Sequence, residues 1–156
     1  MGRNVRFFRN TCPTCLNDVG IPLLGHFAYG EFVYQTDDGK NYAYVSSFTE
    51  YAWERIAAVL RDHAGMKLDK NDGDITLYQH IMIRCADPIN GRQFTTTFPL
   101  CPKCGGKITS YGDNTTMFDK HVDDATWKAF MQLKPEHQVA RVMEILKNEK
   151  DGQQNN

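Results

Sequence analysis

A chain of 156 residues that is 41% hydrophobic and 24% charged has the length and apolar content for one ordinary globular core. Its formal net charge of −1 excludes the basic excess that drives phosphate-backbone binding, and no apolar run reaches bilayer-spanning length. The start, Met1-Gly2-Arg3-Asn4, gives no hydrophobic leader, and Arg6 stands where a myristoylation signal needs Ser or Thr. Arg3, Arg6 and Arg9 are expected to be solvated charge. Five cysteines is an odd count, and four of them fall in two close pairs, which favours a reducing compartment and predicts a cytoplasmic protein.

The first pair is Cys12-Pro13-Thr14-Cys15, followed by Gly20 and Pro22, which leave little room for a helix. Two strands are predicted next, His26 to Gln35 and Asn41 to Val45, joined at Asp38-Gly39, a two-residue hairpin signal. That turn sets Val33 opposite Tyr44 and Phe32 opposite Val45. One face then carries Phe32, Tyr34, Ala43 and Val45 as core. The other carries Glu31, Val33, Gln35, Tyr42, Tyr44 and Ser46. Ser47 with Glu50 forms a capping-box pattern for a helix whose stripe is Phe48, Ala52, Ile56, Val59 and Leu60, with Gly65 as its stop.

Ile75, Leu77, Ile81, Ile83 and Cys85 alternate and predict a strand. A turn over Asp87 to Arg92 and a second strand through Phe94, Thr96 and Phe98 follow. That strand runs into the second pair, Cys101-Pro102-Lys103-Cys104, and Lys107 to Tyr111 returns beside it, so the second turn becomes the bend of a hairpin. Asp123 or Asp124 is expected to cap a short helix offering Trp127, Phe130 and Met131. Pro135 opens a second helix with Val139, Val142, Met143 and Leu146 on one side. The expected architecture is α+β: an antiparallel hairpin, a three-stranded meander, one central helix and a C-terminal helical hairpin. A single domain is expected over residues 1–147, with 148–156 as a flexible polar tail.

Three chemistries compete for the paired cysteines. Thiol–disulfide exchange wants the first cysteine at a helix N-terminus, where its pKa falls, and neither pair is followed by a helix. A closed metal site instead needs a residue tolerant of positive φ after each second cysteine. Gly105 and Gly106 supply one; at the first turn Leu16 is a poor candidate and Asn17 an alternative. Cys12, Cys15, Cys101 and Cys104 would then fill a tetrahedral shell, with no open position for water or substrate, so the metal would be structural. The pattern resembles the paired knuckles of zinc ribbons and rubredoxins, over the two four-residue turns and their flanks. That resemblance implies one zinc per chain, with iron as the third chemistry. Rubredoxin-type iron sites usually bring the pairs closer together, whereas about 85 residues separate Cys15 from Cys101.

Other residue groups suggest weaker chemistry. Cys85 is expected to be a buried core thiol. His26, His63, His80, His121 and His137 show no metal spacing, and His121-Val122-Asp123 is expected to be surface polarity near a helix start. Asp69 to Asp74 lacks the Gly and Glu of a calcium loop and is read as a polar turn. Tyr42 and Tyr44, joined by Tyr29, are expected to be covered by a second layer, such as the C-terminal helices; a protein interface or a base-stacking platform is the alternative.

No catalytic or cofactor-binding constellation is legible. The expectation is a non-enzymatic, zinc-binding interaction protein whose partner is another protein, with no membrane association. Its size suits a bacterial immunity or antitoxin-type protein or a phage-encoded inhibitor. The alternative is a nucleic-acid-associated zinc-ribbon protein; a third is an enzyme whose site, with Glu31, Glu50 or His80, is assembled only by the fold.

Overall fold

The computed structural model describes residues 2–22, 30–47, 50–68, 74–96, 99–109 and 117–154, with residues 153 and 154 described without their side chains. The chain gathers into two compact units, Met1–Phe48 with Pro88–Ala125, and Thr49–Asp87 with Thr126–Asn156. No described helix is long and apolar enough to cross a membrane.

Among the described residues the first unit holds five strands: β1 (Arg3–Thr11), β2 (Asp18–Pro22), β3 (Glu31–Gln35), β4 (Tyr42–Ser46) and β5 (Met117–Val122). They form an antiparallel sheet in the order β2-β1-β5 and a β3-β4 hairpin. In the hairpin Phe32 pairs with Val45 and Val33 with Tyr44, the register its turn predicts. Gly39, at φ 77, sits so tightly that an added Cβ would lie 2.9 Å from the Cys101 carbonyl oxygen.

β1, β2 and β5 form where no strand is predicted. The signal for β1 is its alternation: Val5 and Phe7 face one side, Phe8 and Cys12 the other. Arginine at every third position, 3, 6 and 9, masks it. On one face Phe8, Val19, Ile21 and Ile108 pack with Cys12 and Cys101. On the other Val5, Phe7 and Val122 pack against Val33, Tyr42, Tyr44 and Phe118. The half-polar face of the hairpin is therefore covered by the β1-β5 sheet, and Tyr42 and Tyr44 are no open platform. Burial raises the Tyr42 hydroxyl to about 12, with the charge of Cys101 adding to it. Tyr29, His26 and the strand residues before Gly30 lie outside the described residues.

The second unit holds α1 (Tyr51–Ala64), α2 (Asp74–Arg84), α3 (Lys128–Gln132) and α4 (Pro135–Gln154). α1 begins later than the capping box predicts: Glu50 is the N-cap, its carboxylate accepting from the Ala52 N–H, and Gly65 closes the helix at φ 64. Ala52, Ile56, Val59 and Leu60 are buried as expected; Phe48 lies outside the described residues, as do Asp69 to Gly73.

The expected strand at 75–85 is helix α2, so the predicted meander does not form, although the α+β class holds. The alternating residues are also compatible with a helix, and Tyr78 and Met82 decide the matter. Leu77, Tyr78, Ile81, Met82 and Cys85 fall at i, i+1, i+4, i+5 and i+8, a single helical stripe, and all are buried. Tyr78 Oη donates to the Trp53 carbonyl at 2.8 Å, and Trp127 Nε1 to the Met82 carbonyl at 2.8 Å. Cys85, 7% exposed, is a core thiol that burial pushes up to about 12.

Neither Asp123 nor Asp124 caps α3. Asp87 does so from a distance in sequence, accepting from the Lys128 N–H at 2.8 Å, the Ala129 N–H at 3.1 Å and Thr126 Oγ1 at 2.6 Å. Partial burial pushes the Asp87 carboxyl up, but these hydrogen bonds outweigh it and hold the group below its ordinary value. Its stabilisation is thus complete above the unfolded carboxylate pKa and is lost as pH falls through the depressed folded value. Asp87→Ala is expected to cost about 1 kcal/mol at neutral pH. Thermal unfolding of wild type and variant should differ at pH 7 and converge toward pH 2. α4 begins at Pro135 as predicted, buries Gln138, Val142, Ile145 and Leu146, and stays helical through Gln154, into the expected tail.

Candidate metal centre

The two cysteine pairs are bends of two hairpins. β1 and β2 meet around the first, Thr11 pairing with Asp18. Leu100 pairs with Lys107 around the second, and the Ile108 N–H donates to the Pro99 carbonyl at 2.8 Å. The second bend was predicted; the first was not, because β1 and β2 were not. Tyr111 lies outside the described residues.

The two bends have the same backbone pattern. In the first, the Cys12 N–H donates to the Asn17 carbonyl and the Leu16 N–H to the Cys12 carbonyl, each at 2.9 Å. In the second, the Cys101 N–H donates to the Gly106 carbonyl and the Gly105 N–H to the Cys101 carbonyl, each at 2.8 Å. The residue after the second cysteine is left-handed in both, Gly105 at φ 75 and Leu16 at φ 63. Asn17 does not take that role. Leu16 does, against the steric preference of a γ-branched side chain, and 75% of its surface is exposed.

Folding brings the four sulfurs within 4.8 Å of one another. Cys12 Sγ lies 3.7 Å from Cys104 Sγ, and Cys15 Sγ 3.7 Å from Cys101 Sγ. These separations exceed a disulfide bond of about 2.05 Å. They match the edge of about 3.8 Å expected of a tetrahedron with metal–sulfur bonds of about 2.3 Å. Cys12, Cys15, Cys101 and Cys104 could therefore hold one metal ion, as the sequence predicts, and the set fits a structural zinc site.

The surroundings suit thiolates. Asn17 Nδ2 donates to Cys15 Sγ at 3.2 Å, the Lys103 N–H to Cys101 Sγ at 3.4 Å and the Gly106 N–H to Cys104 Sγ at 3.3 Å. The Asn17 backbone and side-chain donors lower Cys15 to about 6, and the Cys15 N–H lowers Cys12. At Cys104 the Gly106 N–H also lowers the thiol. Burial and the three neighbouring sulfurs outweigh it, raising the group to about 12. Without a cation, four negative sulfurs repel one another, so the last proton leaves with difficulty; a divalent ion removes that penalty.

Two contacts fix the second knuckle. Gln35, 6% exposed, accepts from the Leu100 N–H at 2.7 Å and donates to the Leu100 carbonyl at 2.6 Å and the Gly39 carbonyl at 2.8 Å. Its amide thus pairs like a strand with the residue before Cys101. Gly106 lies so close to the other knuckle that an added Cβ would be 2.7 Å from Thr14 Oγ1.

The remaining sequence candidates are engaged elsewhere. Glu31 accepts hydrogen bonds from Arg3 and Tyr44, and Glu50 caps α1. His80 Nδ1 lies 3.6 Å from Glu149. His121 and Asp123 form an exposed pair at 3.2 Å beside the end of β5. The early arginines also have intramolecular partners. Arg3 lies over the Tyr44 ring and Arg9 over the Phe118 ring, while Arg6 pairs with Asp119.

No family model, curated protein or solved structure matches this chain.

The twin knuckles permit an internal comparison. Leu16→Gly puts at the first knuckle what Gly105 supplies at the second. It relieves a left-handed side chain that buries little, and is expected to stabilise the chain by about 1 kcal/mol with metal content unchanged. Calorimetry of the metal-loaded protein checks this; a lower melting temperature would mean that Leu16 packs usefully within the chain.

Proposed function

We propose that the chain is a non-enzymatic zinc-binding module that acts by binding another protein, a compact accessory or inhibitor of the immunity, antitoxin or phage-inhibitor kind. The sulfur set supports zinc over harder cations, and a full shell leaves the metal no catalytic position. The role then falls to surfaces that the metal holds rigid.

One observation carries the interaction reading: Leu16 stands exposed in a backbone conformation that glycine would adopt without strain. Its side chain gains little from its own fold and is presented, on a rigid turn, to whatever docks there. An apolar anchor of this kind suits a pocket on a protein surface. The nucleic-acid alternative draws less support, since the chain carries a net charge of −1 and Arg3, Arg6 and Arg9 have intramolecular partners.

The test is affinity capture on the immobilised zinc-loaded chain, followed by titration of each captured protein in purified form. Leu16→Gly and Leu16→Asp should weaken the true partner at least tenfold while keeping the zinc. Equal binding by both variants would refute the reading. Salt-sensitive binding of RNA or DNA would transfer it to the nucleic-acid alternative.

A further inference from the structure

The four metal-site sulfurs are unequally protected. Cys12 and Cys101 are 0% exposed, Cys15 is half-buried and Cys104 is exposed. Once a divalent metal is bound all four are thiolates, so access and hydrogen bonding rank their reactivity. Asn17 covers Cys15 with a backbone and a side-chain donor, whereas the Gly106 N–H is the backbone donor to Cys104. Cys104 is therefore the corner that a small oxidant reaches first. The sulfur 3.7 Å away across the gap is Cys12, on the other knuckle.

We propose that Cys104 is an oxidation site, and that a peroxide converts the metal clamp into a disulfide clamp between the knuckles. The Cys104 thiolate attacks one oxygen of hydrogen peroxide; an S–O bond forms, the O–O bond breaks, and the departing hydroxide takes a proton to become water. Cys104 is then a sulfenic acid. The Cys12 sulfur attacks it; the S–S bond forms, the S–O bond breaks, and the second hydroxide leaves as water after taking a proton. Two thiolates have lost two electrons, and the peroxide has gained two electrons and two protons. The metal, stripped of two ligands, is released. Cys15 and Cys101, also 3.7 Å apart, form the second cross-link with a second peroxide. Both bonds run between knuckles, so the hairpins stay tied when the metal leaves.

This inference rests on the metal centre and is independent of the binding partner. The experiment treats the zinc-loaded full chain with hydrogen peroxide. It follows zinc with a chromogenic chelator and maps disulfides by mass spectrometry after blocking free thiols. The expected result is zinc release together with a Cys12–Cys104 bond as the first cross-link. Cys104→His, which keeps a nitrogen ligand for zinc, should slow release at least tenfold, while Cys85→Ser should not change it. A first bond within one knuckle, Cys101–Cys104 or Cys12–Cys15, would overturn the proposal, as would a zinc-loaded Cys104→His chain that releases metal at the wild-type rate. If that variant binds no zinc, the wild-type map decides alone.

Discussion

Cys101→Ser is expected to unfold the first unit or to lower its melting temperature by roughly 10–20 °C. A metal held by the four cysteines would join Cys15 to Cys101 and so close a loop of about 85 residues, worth on the order of 4–5 kcal/mol on a chain-entropy account. Native domains hold only about 5–15 kcal/mol in total, so this one link is a large share. The variant also loses a sulfur from a fully buried position, where Cys101 packs with Phe8, Val19, Ile21 and Ile108. Calorimetry measures the loss, and hydrogen exchange locates it: β1, β2 and residues 99–109 should lose protection together. A chelator acting on the wild-type chain should reproduce the same pattern. An unchanged melting temperature would overturn the assignment of these cysteines to a structural metal.

Gln35→Leu should be the next most damaging change, although it leaves all four sulfurs in place. The substitution keeps the side chain's size but strips the amide that satisfies the Leu100 N–H, the Leu100 carbonyl and the Gly39 carbonyl. Buried backbone groups without partners cost about 1–3 kcal/mol each, so a loss of about 2–4 kcal/mol is expected after relaxation. Leu100 immediately precedes Cys101, so the second knuckle should loosen as well. A competing chelator should then take zinc from the variant faster than from wild type. Wild-type stability and chelator resistance in Gln35→Leu would show that the amide does not position the site.

The four-cysteine cluster was legible because its information is local. Two Cys-Pro-x-Cys spacings name the ligands, and Gly105-Gly106 names the turn. Leu16 was less legible, since its sequence argues against the left-handed conformation it adopts; the hydrogen-bond pattern that the two bends share goes with it. The β3-β4 register followed from Asp38-Gly39 because a two-residue turn fixes pairing by itself.

What failed depended on partners distant in sequence. β5 pairs with β1 across more than a hundred residues, and no pattern within Met117–Val122 announces that. The segment from Ile75 to Cys85 carries two periods at once. Tyr78 and Met82 break the tie toward a helix, yet a strand with large residues on its second face reads the same. Asp87 caps α3 from about 40 residues away, a connection local capping rules do not reach. The tyrosine face was correctly seen as half polar, but β1 and β5, the layer that covers it, had not been recognised.

Metal analysis of the purified full chain tests the central claim most directly. Elemental mass spectrometry alongside native mass measurement should give one zinc per chain in a colourless protein, and none in Cys101→Ser. A red protein carrying iron, or a folded wild-type chain that holds no metal, would contradict the account.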